Sequence, residues 1–397
     1  MNTIETAGLD CVGCRSCEHA CPMHAITMGE DNEGFLFPKI NREICVLCGQ
    51  CLKKCPVCSD NFPCSSPLEV YAFQSGDKKA LMQSASGGVS DAAAEAVLQM
   101  GGVIHGAAFH TDPSDGKILS VRHVEVTDSV DRYKIRSSKY VQSDTGDSYK
   151  LARNRLKNGQ TVLFTGTPCQ IAGLYSFLGG DHPYLYTLDL ICHGVPSPAL
   201  LRQYLKSQSH CMGGSITDMN FRSKEGKGWG TQYRLKLGSE SKTVSRPFVL
   251  DKYGYHFMNG NSYRESCYRC RFSGIRRSGD LTAGDFWGVW QSCPDIDSPL
   301  GLSAVLINTE KGLRLFRQIQ EHAGIIRQLS LKDAMTGQEN LSRPASRPSC
   351  RDTIYSGLWN EDYIDNLKTG LQPVSRLKSL MPRSIAALLK RSIRKEE

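Results

Sequence analysis

The chain has 397 residues, of which 40% are hydrophobic and 22% are charged, and its formal net charge is +8. This length predicts two or three domains with sizeable buried cores. No stretch approaches the roughly 18 apolar residues of a membrane-spanning helix, and the N-terminus lacks the basic flank and apolar run of a signal peptide, so we expect a cytoplasmic protein. Seventeen cysteines in that reducing compartment favour metal ligation over a disulfide framework.

Two cysteine runs near the N-terminus share one spacing. The segments CVGCRSCEHACP and CVLCGQCLKKCP both follow the pattern C-x2-C-x2-C-x3-C-P. In such a repeat, three cysteines of one run and the last cysteine of the other hold each 4Fe-4S cluster. The predicted ligand sets are Cys11, Cys14, Cys17 and Cys55 for one cluster, and Cys45, Cys48, Cys51 and Cys21 for the other. The alternative, a pair of zinc knuckles, prefers two cysteine pairs separated by a longer loop.

This stretch resembles a bacterial two-cluster ferredoxin module and covers about residues 5–60. Cys58 and Cys64 fall outside the pattern, and we interpret them as free or packing cysteines.

Past Pro67, helical and strand-like segments alternate, which is typical of an α/β domain. The predicted helices are SGGVSDAAAEAVLQMGG, DSYKLARNRLKNG and SPALLRQYLKSQ, and the predicted strands are VIHGAAF, KILSVRHVEV, TVLFTG and YLYTLDLIC. A β-hairpin insertion follows, with Tyr233, Leu235 and Leu237 on one face, and SAVLINTEKGLRLFRQIQ predicts a last strand–helix unit. The predicted domains are 1–66, 67–325 and 326–397.

A third C-x2-C, Cys267 and Cys270, stands far from the N-terminal runs. Loops after strands are where α/β sheets assemble their sites. Two predicted strands lead into cysteines, Cys169 and Cys192, so these four residues are candidate ligands of a third cluster. Buried core cysteines are the alternative, because cysteine is among the commonest buried residues.

Six motifs occur in the order seen in the beta subunit family of coenzyme F420 hydrogenases and dehydrogenases, which also resembles 7-hydroxymethyl chlorophyll a reductase. They are SGGV, SSKYVQS, FTGTPCQIAGL, ICHGVPSP, FRSKEGKGWG and CYRCRF with DLTAGDFWG. The resemblance covers residues 11 to about 290. It implies FAD beside a 4Fe-4S cluster whose ligands are Cys169, Cys192, Cys267 and Cys270. A flavin also suits the chemistry, because clusters pass single electrons whereas most organic substrates take two.

The expected flavin site lies at the start of the first helix of the α/β region. Ser86, Gly87 and Gly88 have the features of an anion-binding helix start, although a plain N-cap is the alternative. The resemblance favours them as contacts to the FAD diphosphate. Lys139 is a candidate countercharge to the phosphate or to the reduced flavin ring, with Ser138 and Tyr140 beside it; the alternative is a solvated surface lysine. The turn that would hold the flavin ring consists of Thr165, Gly166, Thr167 and Pro168.

Three more features are candidates for the reaction itself. Asp280 and Asp285, with Phe286 and Trp287, line a substrate pocket or else satisfy backbone amides in a turn. His193 is a candidate proton donor, or a histidine bonded to its own turn. The cluster Arg222, Lys224 and Lys227 suits an anionic substrate or partner, or is a solvated loop.

The tail carries much of the positive charge: residues 374–397 contain seven basic and two acidic side chains. Ile385, Leu388, Leu389 and Ile393 fall near one face of a predicted basic helix, which fits peripheral contact with an anionic membrane, a partner or the protein's own body. Because this tail supplies +5 of the net charge, we expect no nucleic-acid partner.

The sequence therefore predicts a fold of the α+β and α/β classes, with a dicluster ferredoxin module, a mixed α/β flavin-binding domain and a helical C-terminal tail. The predicted function is an iron–sulfur flavoprotein oxidoreductase with three 4Fe-4S clusters and FAD, in either direction of electron flow. Its partners would be ferredoxin or another redox protein and a small-molecule substrate. Alternatives are a non-catalytic electron-transfer adaptor, a reductase of a sugar or polyprenyl-linked intermediate, and a zinc-dependent nucleic-acid binder.

Overall fold

The computed structural model of the chain describes residues 3–226, 228–229, 234–240 and 242–371. Within these residues the strands are β1 Ile26–Glu30, β2 Leu36–Ile40, β3 Glu69–Ser75, β4 Val103–Thr111, β5 Ile118–Val126, β6 Val162–Gly166, β7 Leu185–Leu190, β8 Asp218–Ser223, β9 Arg234–Gly238, β10 Thr243–Pro247, β11 Leu281–Asp285, β12 Ser303–Ile307 and β13 Ala323–Leu329. The α-helices are α1 Ser16–Ala20, α2 Gln50–Lys53, α3 Lys78–Gln83, α4 Val89–Gln99, α5 Ser148–Lys157, α6 Pro168–Leu178, α7 Pro198–Met212, α8 Lys252–Met258, α9 Val289–Ser292, α10 Glu310–Gln320, α11 Leu331–Met335, α12 Arg351–Tyr355 and α13 Tyr363–Asn366.

The centre of the fold is a mixed eight-stranded sheet in the order β13-β3-β12-β11-β7-β6-β4-β5. The four middle strands, β11, β7, β6 and β4, run parallel, and antiparallel strands flank them on both sides. Since parallel strands end at the same edge of a sheet, the loops after β6, β7 and β11 meet there. The predicted mixed α/β architecture is therefore confirmed.

Helices cover both faces of this sheet because the strand side chains alternate between two apolar cores. Ile104, Leu163 and Leu188 pack under α4 and α10, while Val162 and Phe164 pack under α5 and α6. The parallel strands β4, β6 and β7 are thus buried on both sides, as expected for the parallel part of an α/β sheet.

The predicted hairpin is present as β9 and β10, and β8 joins it in a three-stranded antiparallel sheet. Leu235 and Leu237 both face a core shared with α7 and α8. Tyr233 and Lys227 lie outside the described residues.

The N-terminal module consists of the hairpin β1–β2 and the short helices α1 and α2, each of which follows two cysteines of its run. It is packed closely on the α/β body. Gly34 touches α7 so closely that an added Cβ would stand 2.1 Å from that of Ala199, and Arg202 forms an ion pair of 2.6 Å with Glu30.

The chain after α10 continues the fold. The boundary predicted at residue 325 falls inside β13, which pairs with β3 at the edge of the large sheet. Ile354, Tyr355 and Leu358 are buried in the core under α7. The predicted basic helix of the tail lies outside the described residues, among which no helix is long and apolar enough to cross a membrane.

Three cysteine sets and the cavity beside them

The two N-terminal cysteine runs have the same backbone conformation. The residues before and after the second cysteine of each run have positive φ angles, which are 65° and 66° at Gly13 and Arg15, and 52° and 72° at Leu47 and Gly49. Positive φ is uncommon outside glycine, so its recurrence at matched positions shows that both runs make one kind of loop. Such a loop turns its three cysteine side chains towards a common volume.

The predicted first ligand set, which we call the inner set, comes together in the structure. Burial raises the pKa of Cys14 and of Cys17, and the neighbouring thiols of Cys55 and Cys11 raise both further. Burial also raises the pKa of Cys55 to about 12, to which the nearby Cys58 contributes. The run and the distant fourth cysteine thus meet as the repeat predicts.

The second set, which we call the outer set, lies nearer the surface. Cys21, Cys45, Cys48 and Cys51 line one small cavity. Cys48 is exposed, and the side chains of Val46 and Leu47 beside it are 60% and 55% exposed.

Four cysteines from three separate segments of the chain form the third set. Cys169 stands in the first turn of α6 after β6, Cys192 follows β7, and the Cys267–Cys270 loop precedes β11. Burial raises the pKa of Cys267, and the other three thiols raise it further. Burial and the neighbouring thiols likewise raise the pKa of Cys169 to about 11 and that of Cys192 to about 12.

The donor chemistry of these sets fits a cluster. Desolvation and mutual repulsion oppose thiolates crowded in this way, whereas a bound cationic core stabilises them, because metal binding replaces their protons. The described residues contain no group of three or more His, Cys, Asp or Glu side chains arranged to hold a single metal ion. A cubane is larger than one ion and takes one thiolate on each of four irons.

A cavity of about 330 Å³ opens beside the third set and includes Cys169 and Cys192 in its wall. Most of the predicted flavin contacts also line it: Ser86, Gly88, Ser138, Lys139, Tyr140, Thr165, Gly166 and Thr167. So do the predicted reaction residues His193 and Asp285. A separate cavity of about 640 Å³ between α4 and α10 contains no cysteine in its wall.

Two predicted flavin contacts stand outside that wall. An added Cβ at Gly87 would lie 2.1 Å from the Phe73 oxygen and 2.6 Å from the Ser303 nitrogen, so the glycine permits close packing against β3 and β12. Pro168 is buried as the first residue of α6, where its fixed φ suits a helix start.

The loop before α4 presents a helix N-terminus to the cavity. Gly88 has a φ of 82° and caps the helix without a side-chain hydrogen bond. The amides of the first turn have no carbonyl partner within the helix, and they carry its positive dipole end. The cavity wall continues through Val89 and Ser90 into this turn and also includes Arg136.

Asp285 is the centre of a buried polar network. Its two carboxylate oxygens accept hydrogen bonds of 2.8 Å from Arg222, and one also accepts a bond from Trp229. Although burial opposes it, this pairing with Arg222 keeps the pKa of Asp285 below its usual value. The carboxylate is therefore ionised and saturated with donors, which suits positioning better than proton donation. Asp280 lies elsewhere, bonded to Thr187 and Thr309, as in the alternative structural interpretation.

Lys139, the predicted countercharge, and His193, the predicted proton donor, differ in what they touch. The Lys139 ammonium donates to the carbonyls of Arg136 and Lys134 at 2.6 and 3.1 Å, and burial lowers its pKa to about 7. Desolvation by the cavity wall also lowers the pKa of His193, so its imidazole is neutral near pH 7, although the residue itself is exposed where the cavity opens.

Several buried residues that hold the site were missed at the sequence level. Gln170 donates to the Ser143 carbonyl at 3.1 Å, and His123 bonds Thr165 at 3.0 Å, which fixes the turn before Cys169. Arg277 donates to Asp189 at 2.8 Å and to the Leu190 carbonyl at 2.7 Å, which fixes the end of β7. Basic and polar side chains are mostly exposed in folded proteins, so nothing in their local sequence pattern marked these residues as buried.

Comparisons with known proteins find matches to two parts of the chain. Residues 159–330 match the family model for the C terminus of the beta subunit in coenzyme F420 hydrogenase/dehydrogenase, and residues 10–58 match the 4Fe-4S dicluster domain. Over 46 residues the chain is 41% identical to one component of the Na(+)-translocating ferredoxin:NAD(+) oxidoreductase complex of Acetobacterium woodii. That match is 12% of this chain, and it spans only 13% of the length of the relative.

A solved chain of the F420-reducing NiFe hydrogenase complex from Methanosarcina barkeri, studied by xenon derivatization, is also similar. It is 19% identical with a TM-score of 0.48, and the match covers 73% of this chain and 92% of that one. The resemblance predicted from the motifs is confirmed by the family matches: the chain is an iron–sulfur, oxidoreductase-like protein, in which a 4Fe-4S dicluster domain precedes a region, residues 159–330, related to the C terminus of the coenzyme F420 hydrogenase/dehydrogenase beta subunit.

Proposed function

We propose that the chain is a flavin-dependent oxidoreductase that moves electrons between a redox protein and a small organic molecule through three 4Fe-4S clusters and FAD. The observation that carries this proposal is the convergence of Cys169, Cys192, Cys267 and Cys270 beside the cavity. The outer set has an exposed cysteine, the inner set adjoins the third, and the third adjoins the cavity. The three sets therefore lead from the surface to the cavity.

The redox partner docks at the outer set in this proposal. Cys48 is exposed there, and Val46 and Leu47 present apolar side chains to solvent around it. An exposed apolar patch is typical of a protein contact site. Ferredoxin or another small redox protein would bring its own cofactor within reach of the outer cluster at this patch.

FAD would bind in the 330 Å³ cavity, where it would couple the one-electron steps of the clusters to two-electron chemistry. The first-turn amides of α4, after Gly88, would bind its diphosphate. The neighbouring Arg136 guanidinium is paired with Asp91 of the same turn at 2.6 Å, so the backbone amides rather than a free cation would supply the attraction. The Ser86 hydroxyl donates to the Leu302 carbonyl at 2.9 Å and the Ser86 carbonyl accepts from Lys224 at 2.7 Å, so Ser86 would border the ligand as a fixed part of the cavity wall. Thr165 and Thr167 would border the ring beside Cys169.

His193 would hold the proton that accompanies electron transfer to the substrate. Its neutral ring can accept a proton at one nitrogen and donate from the other, and it lies next to Cys192 at the cavity. Asp285 and Arg222 would position Trp229 and the cavity wall without exchanging protons. The family match makes coenzyme F420, a deazaflavin, a candidate substrate, in either direction of electron flow.

Anaerobic purification tests this proposal. We expect about twelve iron atoms per chain, in three cubanes, together with one FAD. Cys14→Ala should keep FAD bound but abolish its reduction by reduced ferredoxin, because the inner cluster is lost. Protein with eight irons and no flavin, or Cys14→Ala with undiminished flavin reduction, would contradict the proposal. If the flavin is reduced but no deazaflavin or other small molecule turns over, the chain is an electron-transfer adaptor.

A further inference from the structure

Gly173 lies inside helix α6, where glycine is unfavourable compared with alanine. Its φ angle is not in the left-handed region, so the backbone does not require glycine. The surroundings do: an added Cβ would stand 2.9 Å from Cys14 Sγ, 2.9 Å from Tyr149 Oη and 3.0 Å from Cys14 Cβ. The helix thus omits a side chain at the point where a cysteine of the inner set touches it.

Cys169 of the third set stands one helical turn before Gly173. Residues four apart lie on the same face of a helix, so Cys14 approaches the face of α6 that also carries Cys169. The two thiols are near enough that Cys169 contributes to raising the pKa of Cys14, after burial and Cys55. The buried Tyr149 hydroxyl lies beside the same contact and donates to the Gln170 carbonyl at 2.6 Å.

Hydrogen bonds from two other parts of the chain hold the inner run against α6 and the loops of the third set. Arg264, three residues before Cys267, donates to the Cys11 carbonyl at 2.7 Å and to the Leu36 carbonyl at 3.0 Å, and its side chain is buried. Gln142 donates to the Val12 carbonyl at 3.0 Å. The loops of the third set and the inner run are therefore fixed to each other rather than merely adjacent.

We propose that Gly173 is a positioning residue for electron transfer, which lets the inner cluster approach the third cluster across one turn of α6. This inference rests on the proposed function, since it requires clusters on both sets. In the step, the reduced inner cluster loses one electron and the third cluster gains it; no bond forms or breaks, and reduced ferredoxin supplies the electron. In Gly173→Ala the added methyl group must push Cys14 away from α6. Because electron tunnelling weakens exponentially with distance, this displacement should slow the transfer from the inner to the third cluster.

The test is Gly173→Ala, with Gly214→Ala as the matched control. Gly214 also lacks a positive φ, but an added Cβ there would meet only Ser239, at an ordinary 3.7 Å. We expect Gly173→Ala to retain full iron and reducible N-terminal clusters. The third cluster should be reduced several-fold more slowly by ferredoxin, and its magnetic coupling to the inner cluster should weaken in electron paramagnetic resonance spectra. Tyr149→Phe in the same chain should recover part of the rate, because it removes one of the two crowded atoms.

The opposite outcomes separate this inference from the proposed function. If wild-type protein contains only eight irons, the third cluster and hence the proposed function fail. If iron is complete but Gly173→Ala keeps the wild-type rate and coupling and is merely more heat-stable, Gly173 matters only to the helix and the inference is overturned. If Gly173→Ala loses a cluster, Cys48→Ala, which removes only the outer cluster, is used instead. The magnetic coupling between the inner and the third cluster should survive this loss. Its disappearance would show that the inner cluster is not the one next to the third and would overturn the inference.

Discussion

The outer and the third cysteine sets differ in how the chain builds them. The outer set takes three ligands from one short run and the fourth from its repeat, and Cys48 remains exposed. The third set takes Cys169, Cys192 and the Cys267–Cys270 pair from loops up to about a hundred residues apart, behind two strand ends of the large sheet. The first site is made by local sequence and the second by tertiary structure.

Because of this difference, the loss of one ligand should affect the surrounding loops differently at the two sites. A locally built site keeps its loop when one ligand is lost, because its backbone conformation repeats in the neighbouring run. A site that ties three loops together contributes to the cavity formed by the same loops, so a cluster bound there would support the fold. Variants at the two sites should therefore have unequal effects beyond the cluster itself.

The largest contrast is expected between Cys267→Ala and Cys48→Ala. Each should lower the iron content by about a third if its cluster is lost outright. Only Cys267→Ala should also loosen the loops around the cavity, with flavin affinity falling at least about tenfold, or about 1.4 kcal/mol. Iron analysis and fluorescence titration of both purified variants with FAD would measure this. Equal flavin affinity in the two variants would show that the third set does not support the cavity.

Buried and exposed ion pairs offer a second contrast. The Arg222 side chain is 2% exposed and pairs with Asp285 in the cavity wall, whereas Arg42 and Glu5 pair at the surface of the module. Arg222→Met leaves a buried carboxylate without its partner, which should lower the free energy of unfolding by about 3–5 kcal/mol. Arg42→Met should change the stability far less, because the Glu5 carboxylate that it leaves behind remains in water.

Chemical denaturation of both variants checks this contrast. The double variant Arg222→Met with Asp285→Asn should recover part of the loss, since no uncompensated charge remains. If Arg222→Met is no less stable than Arg42→Met, the network around Asp285 does not hold the cavity wall.

The difference between sites made by local sequence and sites made by tertiary structure also explains what the sequence can predict. The inner and outer ligand sets follow from spacing alone, and the structure brings each of them together. The strand ends carrying Cys169 and Cys192 follow from the alternation of elements, but the third set needed the family motifs as well. Strand β3 was not predicted, because it lies near the sheet edge and its mixed burial leaves a weak pattern.

Side-chain orientation is what the sequence leaves open. At Gly87 the strands β3 and β12 leave no room for a side chain, and at Gly173 the side chain of Cys14 leaves none. Neither contact can be recognised from the sequence around the glycine. Arg264 and Arg277 lie outside the helices and main strands, yet both are among the largest fully buried side chains. Such residues are recognised only once the elements they join have been placed.

The smallest effect is expected from the titration of Lys139, which distinguishes a cavity lysine from a surface lysine. Its pKa is lowered to about 7 by burial, so its ammonium is charged below pH 7 and increasingly neutral above it. An anion in the cavity favours the charged form, so anion binding takes up a proton. The affinity for FAD should therefore be highest below pH 7 and fall above it, by at most about tenfold per pH unit.

Two variants test whether Lys139 causes this pH dependence. Lys139→Arg should remove it, because a guanidinium stays charged throughout. Lys134→Met is the control, since that lysine is exposed and pairs with Asp131 at 2.7 Å; it should keep the wild-type profile. Fluorescence titration of flavin-free protein between about pH 6 and 9 measures wild type and both variants. A wild-type profile as flat as that of Lys139→Arg would mean that Lys139 serves only to tie its own loop.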